Sequence, residues 1–397
     1  MLKLSKRDAR RLLVLHHFQP TSLQGVFERL GSVQYDPLNP VGRNHDLVLQ
    51  ARVSDYSVGD WQELAYQERF LYDGWDKQAS LVLMRDYPVR RIYYDWHAPR
   101  WREKILDQYP QAVERVLDEL HERGPLSSTD FHFQEHHKQW EGSWYGPQLT
   151  KNVLRALWHT GQLHTCKRNN GKHVYDLAEK VVPAHLYQAE PIPEEKSIEW
   201  LMLLRHQALG LMRPNAGTAI WSLGISPQER RVHLQKLVQR GVLVAVDIDG
   251  VAYHALPRTL EHLDETGECD EHQMRFIAPL DQLMWDRPAI AHLFNFDYVW
   301  EVYKPKKLRR WGYYVLPVMM GNRFVARIDS SLSHDIWRVH KWYWEDGVES
   351  TPEVLDALEQ AVSRFRCYLG AEVLKLPKGL SQQLRGAFKS GFKVANQ

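Results

Sequence analysis

Cysteines are scarce in this sequence, and it has no long apolar run. The 397 residues include 3 cysteines, and Cys166, Cys269 and Cys367 are too far apart to indicate a disulfide framework or a zinc ribbon. No run of about 18 apolar residues predicts a membrane span, and the N-terminus lacks the apolar core of a secretory signal. We therefore expect a cytoplasmic protein without a membrane partner.

Several motifs that carry well-known chemistries are also absent. There is no Gly-x-x-x-x-Gly-Lys-Ser/Thr loop, no Gly-x-Gly-x-x-Gly and no Gly-x-Ser-x-Gly, so the sequence supports neither nucleotide-driven chemistry nor a serine hydrolase. His132 and His136 have the spacing of two metal ligands on a helix, but a zincin's glutamate spacing and third ligand are missing. We expect no metal at these histidines.

The charges are nearly balanced, but the basic residues are bunched. A net charge of +2 is too small to indicate nucleic-acid binding by itself. Cations beside aromatic rings suit phosphates and exposed bases, whereas a charge run is more often a solvated face, and Trp311 could belong to a core. The clustered candidates for binding DNA are Arg168, Arg230, Arg231, Lys304, Lys306, Lys307, Arg309, Arg310 and Trp311.

Two segments share a plan of three helices followed by a β-hairpin. Residues 111–177 predict helices over 111–123 and 148–160, a short helix after Ser127, and two strands around residues 167–171. Residues 197–255 repeat this plan, which is that of a winged helix. In the second copy, Ser226 is the expected N-cap of the third helix, and Asp249-Gly250 is the expected hairpin turn.

A third copy is expected at the N-terminus, and a different pattern at the C-terminus. The N-terminal copy has predicted helices over 5–17 and 22–30 and predicted strands over 33–36 and 47–53. From about residue 270 the pattern is typical of strands, at 273–278, 298–303, 311–319, 324–329 and 336–344, closed by a helix over 352–368 with Thr351 as N-cap.

The sequence therefore predicts an α+β fold with three tandem winged-helix units and a C-terminal β-rich domain. The expected domains are residues 1–104, 105–182, 195–260 and 270–397. Because the repeats lie within one chain, we expect a monomer.

The segment Gln34-Tyr35-Asp36 is the most informative stretch for chemistry. In a strand, Gln34 and Asp36 point to one side and Tyr35 to the other. An amide and a carboxylate on one side can position a water and stabilise a developing positive charge. The alternative is structural, with Asp36 capping an Asx-type turn before Pro37.

Three function classes remain open at this point. Tandem winged helices most often serve DNA, either in an enzyme or in a non-catalytic transcription regulator. Winged helices also mediate protein contacts, so a protein-interaction scaffold is the third alternative. A regulator predicts tight binding to one sequence, whereas an enzyme acting on damaged DNA predicts modest, salt-sensitive binding to any sequence.

The residues around this motif resemble one family of enzymes. Residues 34–52 look like the catalytic region of the winged-helix DNA glycosylases of the AlkZ/YcaQ type, which carry Gln-x-Gln or Gln-x-Asp at this place. The blocks at 75–81, 279–287 and 309–317 are also similar to that family. The sequence departs from the family at Gly74 and Lys77, where tyrosine and histidine are common.

The resemblance implies both a reaction and a partner. It implies a monofunctional glycosylase that acts on double-stranded DNA, excises N7-alkylated purines and unhooks interstrand crosslinks, with no cofactor and no metal. Gln34 and Asp36 would be catalytic, and Asn39 and Arg43 would join the basic candidates in binding DNA. We expect such a protein to associate with the nucleoid.

Overall fold

The computed structural model describes residues 1–134, 149–264 and 271–393, which form a mixed α+β fold. None of the described helices is long and apolar enough to cross a membrane. The helices are α1 Lys6–Phe18, α2 Leu23–Leu30, α3 Asn44–Gln50, α4 Trp61–Tyr66, α5 Tyr87–Arg90, α6 Ile92–Trp101, α7 Pro110–Arg123, α8 Leu149–His159, α9 Ala178–Val181, α10 Ala184–Tyr187, α11 Glu194–Leu209, α12 Thr218–Trp221, α13 Pro227–Gln239, α14 Pro257–Leu260, α15 Arg287–Phe294, α16 Pro352–Leu369 and α17 Gln382–Lys393. The strands are β1 Leu2–Leu4, β2 Ser32–Gln34, β3 Leu71–Trp75, β4 Ala79–Leu83, β5 Leu126–Ser127, β6 Leu163–Asn169, β7 Lys172–Leu177, β8 Val244–Ile248, β9 Val251–Ala255, β10 Met274–Phe276, β11 Val315–Met320, β12 Arg323–Ser333, β13 Ile336–Trp344 and β14 Val373–Lys375.

The chain divides into two compact units. The first comprises Met1–Asp60 and Met202–Gln397, and the second comprises Trp61–Leu201. The four expected domains divide the chain differently, since residues 1–104 and 195–260 each cross a boundary of these units, and they stay a prediction. The count of three winged-helix units likewise stays a prediction.

The first unit contains two of the sheets. Strand β1 pairs in parallel with β8, which forms an antiparallel hairpin with β9. The larger sheet has the strand order β10-β11-β12-β13-β14. Apolar residues of α1, such as Leu12 and Leu13, share one core with Val246, Ile290 and Phe296, and burial of these side chains is what holds the N-terminal helix on the C-terminal half of the chain.

The second unit is built around two hairpins. β3 and β4 pair antiparallel, as do β6 and β7, and β5 adds to the edge of β7. Val116 and Leu120 of α7 pack with Val153 and Leu157 of α8 and with Leu163 of β6. These helix residues recur at spacings of four, which is the pattern that places one apolar face toward a core.

Several expected helix ends and turns are confirmed. Ser226 caps α13 and forms a capping box with Glu229, and Thr351 caps α16 through the backbone N–H of Val354. Asp249 and Gly250 both have positive φ, at 48° and 80°, which is the geometry that a two-residue hairpin turn requires.

Three expected elements are wrong or only partly described. Residues 47–53 do not form a strand, because helix α3 covers Asn44–Gln50 and buries Asn44 through Leu49; a short apolar run does not distinguish a buried helix from a strand. Residues 298–303 are irregular. After Ser127 the described residues to 134 contain no helix, and the rest of that expected element lies outside the described residues, as does His136.

Candidate active site

Strand β2 is fixed by two amide side chains. Helix α2 ends at Gly31, whose φ of 70° suits a residue without a Cβ, and the chain then enters β2. The Asn44 amide donates to the Gln34 carbonyl at 2.9 Å and accepts from the Leu280 N–H at 3.2 Å. Gln282 donates to the Ser32 carbonyl. The backbone of β2 is thus held at Gln34 by Asn44 and at Ser32 by Gln282, which is distant in the sequence.

Gln34 itself is a buried amide with an unused acceptor. Only 8% of the residue is exposed. Its Oε1 atom accepts no hydrogen bond from any part of the chain that the structure describes. A buried amide oxygen without a donor costs free energy, and such groups often mark places where a ligand or a water completes the set.

Asp36 lies just beyond the strand, which corrects the argument for a shared strand face. Strand β2 ends at Gln34, and the Asp36 Oδ1 atom accepts from the backbone N–H of Leu38 at 2.9 Å. This contact is the Asx-type turn that the sequence offered as the structural alternative. The turn uses one carboxylate oxygen, so it is compatible with a chemical role for the other oxygen.

The environment of Asp36 favours its protonated form more than water does. Burial raises the pKa of the Asp36 carboxyl above its ordinary value, and the hydrogen bond from Leu38 opposes that rise. A carboxylate that is partly removed from water is a stronger base than a solvated one. Asp36 is therefore suited to accept a proton.

Two buried tyrosines near these residues were not found from the sequence. The hydroxyls of Tyr314 and Tyr368 make no hydrogen bond within the described residues. Burial, and next the charge of Asp36, raise the pKa of Tyr314. A Cβ on Gly42 would lie 2.3 Å from the Tyr368 hydroxyl. Tyr314 lies in the block at 309–317 that resembles the family, but the sequence does not indicate that it or Tyr368 lies near the motif. Each is 278 or more positions after Asp36, so only the fold brings them here.

Tyr35, the middle residue of the motif, is held by contacts with helix α3. The Tyr35 ring stacks on His45 with 4.2 Å between the ring centroids. His45 Nε2 lies 3.4 Å from the Asp46 carboxylate, which also accepts a hydrogen bond from the Tyr56 hydroxyl at 2.6 Å. Tyr35 is thus fixed through helix α3.

The expected DNA-binding residues at 304–311 lie on one loop, which we call the basic loop (residues 303–313). The carboxylate of Glu301 accepts from the backbone N–H groups of Arg310 at 3.1 Å and Trp311 at 2.8 Å, and from the Lys304 ammonium at 3.0 Å. Burial by itself would raise the pKa of Glu301, but these hydrogen bonds hold it at about 2. A buried, ionised carboxylate therefore anchors the loop.

Within the basic loop the charged and aromatic residues differ in exposure. Lys306, Lys307 and Arg310 are exposed, and Arg309 is half-buried. Trp311 is half-buried; the guanidinium groups of Arg310 and Arg327 each lie 4.4 Å from the centroid of its ring. The Trp311 ring thus contacts two cations of the chain itself, which favours a role in the loop over stacking on a base.

The other expected DNA-binding residues lie outside the basic loop and differ in exposure. Asn39 and Arg231 are exposed, whereas Arg43 is half-buried before α3. Arg230 is buried over the Trp221 ring at 5.1 Å. In the second unit, Arg168 pairs with Asp73 at 2.5 Å with both side chains nearly fully buried, so its guanidinium has a structural partner within the chain.

Comparisons with known proteins identify a family and a shared fold. The model of a family described as DNA glycosylase AlkZ-like matches residues 27–367. Among solved structures, the chain is similar to the Streptomyces sahachiroi DNA glycosylase AlkZ, with a TM-score of 0.63 and 17% sequence identity over 95% of this chain and 100% of that chain. At this identity the structural likeness shows a shared fold.

Proposed function

The chain belongs to the AlkZ-like family of DNA glycosylases, and from this premise we propose that it is a monofunctional glycosylase acting on N7-alkylated purines in duplex DNA. The proposal includes the unhooking of interstrand crosslinks formed at N7. Its main support is that the buried Gln34 amide has an unused acceptor and that Asp36, two residues later, has a raised pKa. Membership of a glycosylase family favours this reading over a non-catalytic regulator or a scaffold.

The chemistry follows from the charge of the substrate. An N7-alkylguanine is already cationic, so its glycosidic bond breaks with little need for a general acid. The bond between C1′ and N9 breaks, its electron pair leaves with the purine, and the sugar develops oxocarbenium character. The enzyme must then stabilise positive charge and guide a water.

Gln34 and Asp36 supply these two functions in the proposed mechanism. The Asp36 carboxylate offsets the positive charge of the sugar and accepts the proton of the attacking water, while the water oxygen bonds to C1′. The free acceptor on Gln34 Oε1 orients that water. The mechanism assigns no covalent step to a lysine, so the product is an abasic site in an uncut strand.

We expect the purified protein to release 7-methylguanine from a duplex and to leave the labelled strand whole until hot alkali is added. The reason is that hydrolysis by water forms no Schiff base and so gives no β-elimination. Gel analysis of the labelled strand with and without alkali measures this, and the same assay on a nitrogen-mustard crosslink reports unhooking. Strand cleavage without alkali would contradict the monofunctional mechanism.

The exposed lysines of the basic loop provide the expected contact with DNA phosphates. Replacing both Lys306 and Lys307 with alanine should reduce the slope of log affinity against log salt by about 1.8, since each phosphate contact on duplex DNA contributes about 0.9. Fluorescence anisotropy at several salt concentrations measures the slope. Lys3→Ala, which removes an exposed lysine of β1, is the control. If the double variant had the same slope as the unsubstituted protein, these lysines would not contact DNA phosphates.

A further inference from the structure

The basic loop exposes large apolar side chains as well as cations. Tyr303 is 81% exposed, Leu308 is 61% exposed and Tyr313 is 40% exposed. Single exposed apolar residues are common on protein surfaces, but here they alternate with cations within eleven positions. The cations are Lys304, Lys306, Lys307, Arg309 and Arg310.

The loop is also held in one conformation before any ligand binds. Leu308 closes a 3-10 turn over Lys306–Leu308, in which its N–H donates to the Pro305 carbonyl at 2.8 Å. Arg309 Nε donates to the Lys304 carbonyl at 2.8 Å, and Glu301 fixes the far end of the loop at Trp311. A side chain that is presented by a rigid turn loses little conformational entropy when it binds.

The loop leads directly to the candidate active site. Tyr314 is the residue that follows the loop. Its pKa is raised first by burial and next by the charge of Asp36, so it lies close to that carboxylate. Leu308 is six residues before Tyr314, and six residues span at most about 20 Å. That distance corresponds to about six base-pair steps of 3.4 Å, so Leu308 can reach a base pair no more than about six steps from the reacting nucleotide.

We propose that the apolar tip of the basic loop, formed by Leu308 and Tyr303, enters the base stack of the duplex and opens a base step close to the reacting nucleotide. This inference rests on the proposed function. The flanking cations fit the phosphates on either side of such a step, and an apolar wedge fits the separated bases. Charge complementarity selects duplex DNA as the occupant over a protein surface.

The wedge opens room at the lesion without complete extrusion of the base. A crosslinked base is tied to the opposite strand, so it cannot be turned fully out of the helix. Opening one step on the side of the lesion makes C1′ accessible while the crosslinked base keeps its connection. The wedge thus supplies the access that base flipping gives to other glycosylases.

The test measures unstacking separately from catalysis. In the Asp36→Asn background, in which excision is expected to be slower by about 10²-fold or more, the fluorescence of 2-aminopurine placed beside 7-methylguanine should rise when saturating protein binds. Leu308→Ala in this background should lose most of that rise, whereas Leu308→Met should keep it because an apolar side chain of similar length remains. Val58→Ala, which truncates another exposed aliphatic residue (59% exposed) outside the loop, should leave the rise unchanged.

The activity of the same variants completes the test. In the otherwise unsubstituted protein, Leu308→Ala should slow 7-methylguanine excision about tenfold at saturating enzyme, because no aliphatic side chain then enters the base step to keep it open. Equal fluorescence for Leu308→Ala and its parent would overturn the wedge, and so would the absence of any rise in the parent. Failure of the unsubstituted protein to excise 7-methylguanine would instead overturn the proposed function, since the fluorescence does not depend on excision.

Discussion

Replacing Asp36 with asparagine is expected to lower the rate of 7-methylguanine excision by about 10²-fold or more, in the range found for general acid–base residues. Asparagine keeps the shape of the side chain but cannot carry the negative charge that faces the oxocarbenium ion or accept a proton from the water. Single-turnover kinetics on a 7-methylguanine duplex, with enzyme in excess, measure the chemical step. Anisotropy should show that affinity for the duplex is nearly unchanged.

The same variant separates catalysis from the structural role of Asp36 in the turn. The amide oxygen of asparagine can still accept from the Leu38 N–H, as Asp36 Oδ1 does at 2.9 Å, so the Asx-type turn is kept. If the turn were the only role of residue 36, the variant would excise at the rate of the unsubstituted protein. That outcome would move the catalytic assignment away from Asp36.

The direction of the pKa shift adds an expectation about stability. The pKa of Asp36 is raised in the folded protein. Folding therefore favours the protonated carboxyl, and the stability that this gives is fully present below the unfolded pKa and is lost as the pH rises through the folded pKa. At neutral pH the ionised carboxylate therefore opposes folding. Asp36→Asn should have a Tm at pH 7 that equals or exceeds that of the unsubstituted protein, as is common where activity and stability conflict.

The local features of the fold were accessible from sequence because they depend on neighbouring residues. The N-caps at Ser226 and Thr351, and the turn at Asp249, each follow from a side chain or a φ preference within a few positions. The strand β13 was predicted with the bounds that the structure has, Ile336–Trp344. Residues 337–340 alternate between apolar and polar side chains, and the remainder is rich in aromatic residues, which favour strands.

The errors arise where distant residues decide the local structure. Residues 298–303 have strand-like composition, but Tyr298 donates its hydroxyl to the Val315 carbonyl at 2.6 Å, and Glu301 binds backbone N–H groups of the basic loop. Side-chain contacts thus replace the ladder that a strand would need. Tertiary contacts of this kind override β-propensity and leave no periodic signal in the sequence.

In the candidate site, too, the features set by neighbouring residues could be predicted and those set by distant residues could not. Gln34 and Asp36 could be named from sequence because they lie in one short motif, although the reason first given, a shared strand face, is wrong for Asp36. The support around them, from Asn44, Gln282 and Tyr314, comes from positions far apart in the chain. No pairing rule predicts those contacts without the fold.

Replacing Asp281 with alanine is expected to lower the free energy of unfolding by about 3–5 kcal/mol, the usual cost of removing one partner from a buried ion pair. The Arg52 and Asp281 side chains are both fully buried, and the guanidinium donates to the carboxylate at 2.7 and 2.9 Å. Arg52 also donates to the Val48 carbonyl at 3.0 Å. Alanine would leave the guanidinium charged, buried and without its counter-ion.

Because of the position of this ion pair, Asp281→Ala is expected to lower the rate of excision as well as the stability. Asp281 lies between Leu280 and Gln282, which contact Asn44 and Ser32 and so hold the strand that carries Gln34. Excision by Asp281→Ala should therefore fall even at temperatures where the protein stays folded, because a small displacement of a catalytic group is costly. Circular dichroism during urea unfolding, together with single-turnover kinetics, measures both effects.

A surface pair and a double variant provide the controls for Asp281→Ala. Lys6 lies 3.6 Å from Asp249 with 37% and 57% of the two side chains exposed, so Lys6→Ala should change stability by less than about 0.5 kcal/mol. Adding Arg52→Met to Asp281→Ala should restore part of the lost stability, because it removes the unpaired buried charge. If the double variant were no more stable than Asp281→Ala, the unpaired buried charge would not be the cause of the loss, and the contacts of Leu280 and Gln282 would have to account for it.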